Sequence, residues 1–230
     1  MDEFIRDTYL MHAETEEYHT AIKEANQIIR NALTAFPQES YVAYSGGKDS
    51  TVMLDMVLKQ DPDVMVMNVD YGKAIMPRDI QQEIIANARQ IGAKNLRIYP
   101  IKTKRTGTGA HFYRILFGVM QKELIQRGVR LAFVGLRSAE SVIRRLKTQN
   151  GGYKWNGSLT ECYPLHHLKT RDVWAYIVSN GLPYCSHYDR YATIAPWESI
   201  RFASFFDSEF DHLGSDRVDG LLMPHFKNQG

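Results

Sequence analysis

Apolar residues recur at helical spacing over residues 15–35, where Ile22, Ala25, Ile29, Ala32, Leu33 and Phe36 share one side and Pro37 ends the run. A short apolar strand, Tyr41–Tyr44, follows. After a glycine-bearing loop, Val52-Met53-Leu54 opens a helix that reaches about Lys59, and Asp61-Pro62-Asp63 reads as a turn. Val64–Val69 is a second buried strand. Ile80–Ile91 is helical and closed by Gly92, and Leu96–Ile101 is a third strand. Lys102–Gly109 is polar with no core signal. A helix runs from about Phe112 to Arg127 with Gly128 as its cap, and Leu131–Val134 is a fourth strand.

Strands alternating with helices predict the α/β class: a single open parallel sheet with helices on both faces, preceded by an N-terminal helix and followed by an irregular C-terminal tail. The expected boundaries are an N-terminal helical segment at 1–37, a nucleotide-binding domain at 38–190 and an extension at 191–230 packed on it. Ligands of such sheets bind beyond the carboxyl ends of the strands. Three segments begin where a strand ends: Ser45–Ser50, Asp70–Gly72 and Gly135–Arg137.

The first of these, Ser45-Gly46-Gly47-Lys48-Asp49-Ser50-Thr51, lies between a strand and a helix. Two glycines let backbone N–H groups approach an anion, and a helix N-terminus adds unpaired donors and the positive end of its dipole. Lys48 adds a charge, and the hydroxyls of Ser45 and Ser50 add donors. It is not a Walker loop, because Val42 stands where the first glycine is required and Asp49 follows Gly47-Lys48. Nor is it a dinucleotide fingerprint, because Ser50 replaces the third glycine.

If Arg137–Leu146 is helical, Arg137, Glu140, Ser141 and Arg144 share one face, and Ala139, Val142, Ile143 and Leu146 pack on the sheet from the other. The arginines suit bidentate phosphate binding; the alternative is a surface helix with ion pairs of little worth. Asp70 is open between two readings: a carboxylate for Mg²⁺ or a ribose hydroxyl, and a turn or N-cap residue.

Composition adds three points. The 230 residues, 44% hydrophobic, suffice for one sizeable core. No apolar run has membrane-spanning length, and Met1-Asp2-Glu3-Phe4 is unlike a signal peptide. With two cysteines, Cys162 and Cys185, the expected setting is a reducing cytoplasm. Net charge is +2 but uneven: from Lys102 to Lys154 twelve Lys or Arg face two acids, so this segment carries +10 and the remainder −8. That segment is either a solvated face or a wall for a second anionic substrate or nucleic acid. Cys162, His166, Cys185 and His187 match no standard zinc spacing and are expected to be ordinary core or surface residues.

Ser-Gly-Gly-x-Asp-Ser resembles the pyrophosphate-binding loop of the ATP pyrophosphatase (adenine nucleotide alpha-hydrolase-like) superfamily. Gly135-Leu136-Arg137-x-x-Glu140-Ser141-x-x-Arg144, Tyr163-Pro164-Leu165, Asp172-Val173-Trp174-Ala175-Tyr176-Ile177 and Leu182-Pro183-Tyr184 resemble motifs of its phosphoadenosine phosphosulfate (PAPS) reductase branch, in matching order. The resemblance implies ATP and Mg²⁺ as ligands and cleavage between the α and β phosphates, with an acceptor adenylylated and pyrophosphate released. It assigns nucleotide binding to Ser45, Gly46, Gly47, Lys48, Ser50, Asp70, Gly135, Arg137, Glu140, Ser141 and Arg144. It further assigns catalysis to Lys48, Asp49 and Arg137, and metal contacts to Asp49 and Asp70. The family's C-terminal Glu-Cys-Gly-Leu-His motif has no counterpart after Cys185, Leu168 stands where Trp is expected, and Tyr191 stands where Gly is expected. Two cysteines are too few for an iron–sulfur cluster. Alternatives are a sulfonucleotide reductase using Cys162 or a partner's thiol, and a non-catalytic nucleotide-binding subunit of a nucleic-acid-modifying complex. A protein partner or homo-oligomer is left open.

Overall fold

The computed structural model describes residues 1–72, 76–100, 110–140, 142–150, 152–156 and 158–200; for 110–117, Ile143 and 154–156 only the backbone is described. The expected Lys102–Gly109 loop, Ser141 and the tail from residue 201 lie outside the described residues.

Five strands run parallel in one sheet: β1 (Ser40–Ala43), β2 (Met65–Asp70), β3 (Leu96–Pro100), β4 (Leu131–Val134) and β6 (Leu159–Cys162). A sixth, β5 (Tyr153–Asn156), pairs antiparallel with β6, and the order across the sheet is β3-β2-β1-β4-β6-β5. The open parallel sheet is as expected. The β5–β6 pair is an addition that the sequence reading passed over, although Asn156-Gly157 is a hairpin signal. The chain moves outward from β1 to β3 and then returns to β4 on the other side of β1. The reversal of direction therefore falls between β1 and β4, and a crevice opens at their carboxyl ends.

Side chains of β1 alternate between two cores. Val42 and Tyr44 join a large cluster with α1 (Glu3–Ala13), α2 (Glu16–Ala35), α3 (Lys48–Leu58), α4 (Arg78–Ile91) and α7 (Thr170–Ser179). Tyr41 joins a smaller cluster with Met67, Val69 and Ala132 from the sheet and Met120 and Leu124 from α5 (Ala110–Gln126). Helices thus cover both faces. The N-terminal helices are part of the main core rather than an appendage, since Ala25 and Ile29 of α2 are fully buried in it.

Helix α1 was not anticipated. Asp2 caps it by accepting from the Ile5 N–H at 2.9 Å, but it buries only Tyr9 and Ala13, while Phe4 and Met11 face solvent and blur its apolar stripe. It packs on α7, where His12 Nε2 lies 2.6 Å from Asp172 Oδ1. Helix α3 is pinned to α7 as well: the Tyr176 hydroxyl donates to Asp55 Oδ2 at 2.7 Å, and Lys59 pairs with the same oxygen at 2.7 Å. These contacts fix α3, and with it the loop at its N-terminus.

One expectation fails. The segment after β4 is not a continuous helix from Arg137 with an apolar back on the sheet. It is a 3-10 turn, Ser138–Glu140, and then a short helix α6, Val142–Lys147, with Ala139, Val142 and Leu146 exposed. Arg137 is drawn inward and is only 2% exposed. Its burial before the turn rotates the remaining residues off the register that an unbroken helix would impose.

A candidate phosphate site at the carboxyl ends of β1 and β4

The loop Ser45–Gly47 leaves β1 and enters α3, whose N-cap is Gly47 with no side-chain cap. Its exit is braced by Asn68 Nδ2, which donates to Tyr44 O at 2.9 Å, and by Gln81 Nε2, which donates to Asn68 Oδ1 at 2.7 Å. Gly46 has φ +82°, and a Cβ there would lie 2.5 Å from Ile84 Cγ1, so position 46 demands glycine twice over. Within the loop, Ser50 Oγ donates to Gly47 O at 2.9 Å, the Ser45 and Ser50 hydroxyls lie 3.1 Å apart, and Gly47 N–H reaches Ser45 Oγ at 3.4 Å.

Gly135, at the end of β4, presses on the start of α3: an added Cβ would stand 2.9 Å from Asp49 C, Asp49 O and Ser50 N. Two residues on, Arg137 Nε donates to Asp49 Oδ1. The same guanidinium donates from Nη1 to Thr170 Oγ1 at 3.1 Å and to Leu168 O at 3.5 Å, and Nη2 lies 3.5 Å from Glu140 Oε1. Glu140 also accepts from Arg144. Lys48 is buried, with Nζ 3.3 Å from Asp49 Oδ2 and 3.3 Å from Ile200 O. The site therefore concentrates three cations, Lys48, Arg137 and Arg144, around two carboxylates, Asp49 and Glu140. Burial pushes the Asp49 carboxyl up, but the Lys48 and Arg137 charges outweigh it and hold it at about 2.

The chain after α7 contributes groups that the sequence did not connect with the loop. The Tyr188 hydroxyl, on α8 (His187–Tyr191), accepts from the Lys48 N–H at 2.9 Å, and Cys185 Sγ lies 3.5 Å from Gly46 O. Glu83 of α4 holds this segment by accepting from Ser186 N–H at 2.7 Å and Ser186 Oγ at 2.9 Å. Burial, with the Arg190 and Lys48 charges, holds the His187 imidazole down at about 3, so it is neutral. The only signal for this cover was proximity to Leu182-Pro183-Tyr184.

Asp70, the last residue of β2, accepts from Gly72 N–H at 2.8 Å and from Arg78 Nη1 at 2.8 Å. Burial raises its carboxyl, and these donors lower it further than burial raises it. The structure thus brings Gly46, Gly47, Lys48, Asp49, Ser50, Gly135, Arg137, Glu140 and Arg144 together and gives Asp70 a turn with its own basic partner. Cys162 and Cys185 are both fully buried, beside Tyr153 and Gly46 respectively, and desolvation pushes each thiol up to about 12. No described helix is long and apolar enough to cross a membrane.

The parallel sheet that reverses at the glycine loop has the adenine nucleotide alpha-hydrolase-like fold. Residues 39–214 match the phosphoadenosine phosphosulfate reductase domain, and the chain belongs to that family. Among curated relatives, it is 25% identical over 199 residues to a phosphoadenosine 5'-phosphosulfate reductase of Xanthomonas campestris, covering 80% of each chain. It is 27% identical over 184 residues to an uncharacterized protein of Methanocaldococcus jannaschii, covering 73% of this chain but only 37% of that one. Among solved structures, FMN adenylyltransferase of Candida glabrata superposes with a TM-score of 0.58 at 16% identity, over 80% of this chain and 64% of that one. The chain thus spans less than two thirds of either of those last two proteins.

Proposed function

We propose that the protein binds ATP with its phosphates at the Ser45–Ser50 loop and transfers the adenylyl group to an acceptor, releasing pyrophosphate. The observation that carries this reading is the glycine-lined entry to α3, where Gly46 and Gly47 form the loop, Gly135 lies against Asp49 and Ser50, and Lys48, Arg137 and Arg144 outnumber the carboxylates of Asp49 and Glu140. An acceptor oxygen attacks the α-phosphorus and loses its proton to solvent. The bond to the bridging oxygen breaks, and its electron pair leaves with pyrophosphate. The loop N–H groups receive the leaving charge, while Lys48 and the arginines keep the site positive around Asp49. Catalysis of this kind rests on positioning and charge, and no protein nucleophile is required.

Mg²⁺ on ATP would supply further charge neutralisation. Asp49 and Asp70 as placed are not ready ligands for it, because both oxygens of each already face Lys48, Arg137, Arg78 or the Gly72 N–H. A reductase reading has the Xanthomonas relative in its favour, but it needs a reactive thiol, and both cysteines are buried and protonated.

The test is to incubate the protein with Mg²⁺-ATP and FMN, the acceptor named by the structural neighbour, and to separate products. AMP-bearing product with pyrophosphate is expected; ADP with phosphate overturns the reading. Formation of sulfite from a sulfonucleotide with a thiol donor would select the reductase instead.

A further inference from the structure

Away from the phosphate loop, three side chains with metal-ligating chemistry converge: Glu24 of α2, and His166 and His167 in the turn between β6 and α7. Each can offer one ligand atom, and these atoms lie within 4.8 Å of one another; this is the only such group among the described residues. We propose that Glu24, His166 and His167 form a binding site for a divalent transition metal of the zinc class, with water completing the coordination.

Both rings have one nitrogen placed against a backbone carbonyl. His166 Nδ1 lies 3.1 Å from Tyr163 O and His167 Nε2 lies 2.9 Å from Ala21 O. A carbonyl oxygen can only accept, so the proton sits on the nitrogen facing it and the other nitrogen of each ring carries the lone pair. Holding a ligand imidazole by a carbonyl on its far nitrogen is the usual outer support of a metal site. His167 Nδ1 is buried with no hydrogen-bond partner among the described residues, so its lone pair is unmet. The rings meet edge to face with centroids 5.0 Å apart; Glu24 Oε2 stands 3.8 Å from His167 Nε2, the protonated nitrogen, so the carboxylate has to swing towards the Nδ1 side to share an ion with that ring. Gly152 makes room for the first ring, since a Cβ there would come within 3.1 Å of His166 Nδ1.

Two imidazole nitrogens and one carboxylate suit zinc, cobalt or nickel, whereas magnesium and calcium take oxygen shells. Ligand bonds of about 2.0–2.2 Å require the donors to draw closer than they stand. Glu24, 55% exposed, is free to make that movement. A bound ion would tie α2 to the turn that carries Leu168 and Thr170.

The test uses untagged, full-length protein stripped with a chelator and then titrated with Co²⁺. The expected result is one equivalent bound, with the visible absorption of a low-coordinate cobalt site, displaced by Zn²⁺ and indifferent to excess Mg²⁺. Glu24→Gln, on an exposed helix face where folding is not at stake, and His166→Gln should each abolish the absorption. Absence of a stoichiometric visible band in the unaltered protein overturns the proposal, as does a band that persists in both variants.

Discussion

Gly135 and Asp49 are 86 positions apart, yet a single methyl group on Gly135 would stand 2.9 Å from the Asp49 carbonyl carbon. The end of β4 and the first turn of α3 are in backbone contact, and the Ser45–Gly47 loop owes its position to that contact. Gly135→Ala should therefore displace the loop rather than fill a void. The expected cost is about 1–3 kcal/mol of unfolding free energy, as for overpacked cores, together with weaker ATP binding. Urea denaturation and calorimetric titration measure the two effects. Unchanged ATP affinity in a folded Gly135→Ala protein would separate this contact from the ligand.

Asp49 sets a pH dependence. Its carboxyl is held at about 2 in the folded protein against an ordinary 3.8, through Lys48 and Arg137. Between these values the unfolded chain takes up a proton that the folded protein does not, so stability rises with pH across the window. The contribution is complete above about pH 4 and is lost as pH falls towards 2. Asp49→Asn, which removes the carboxylate shared by Lys48 and Arg137, should be the less stable protein at neutral pH, and its deficit should shrink across the same interval. Parallel stability-versus-pH curves for the two proteins would contradict this account.

Tyr188 occupies the first donor of α3. In Tyr188→Phe the Lys48 N–H loses its acceptor, at a cost of about 1–3 kcal/mol for an unpaired buried donor. If that N–H faces the phosphates, saturating ATP restores a partner, and the loss measured with nucleotide should be smaller than without it. An identical loss in both conditions would show that the N–H points away from the ligand.

Both thiols should be inert in the native state. Cys162 and Cys185 are fully buried with thiols pushed up to about 12, so thiolate is scarce at neutral pH. A disulfide reagent should label neither residue until the protein is denatured. Rapid native labelling of Cys162 would restore the reductase reading.

The loop and strands β1 to β4 were legible because their signals are local: glycines between an apolar strand and an apolar helix, and short apolar runs set between stretches of helical period. The spacing of Arg137, Glu140 and Arg144 picked out side chains that do lie together, but with the wrong backbone geometry. A helical wheel assumes one continuous helix, whereas the buried pairing of Arg137 with Asp49 breaks the segment into a 3-10 turn and a short helix. Tyr188, Thr170, Ile84 and Ile200 carried no readable signal, because each acts through one contact with a residue far along the chain. Cys185 and His187 were read with Cys162 and His166 as a zinc spacing without a pattern; the fold sets them beside the loop, and groups His166 with His167 and Glu24 instead.

Arg137 is the keystone between Asp49 on one side and Leu168 and Thr170 on the other. During synthesis the glycine loop emerges early, but its guanidinium follows almost ninety residues later and that guanidinium's own anchors some thirty residues after that. Contacts so distant in sequence form late and slowly. A nascent chain paused before residue 170 would hold Asp49 and Arg137 without the Thr170 anchor of that guanidinium and without the Tyr188 and Ile200 contacts of Lys48, so the surroundings of the glycine loop are completed as one of the last acts of folding.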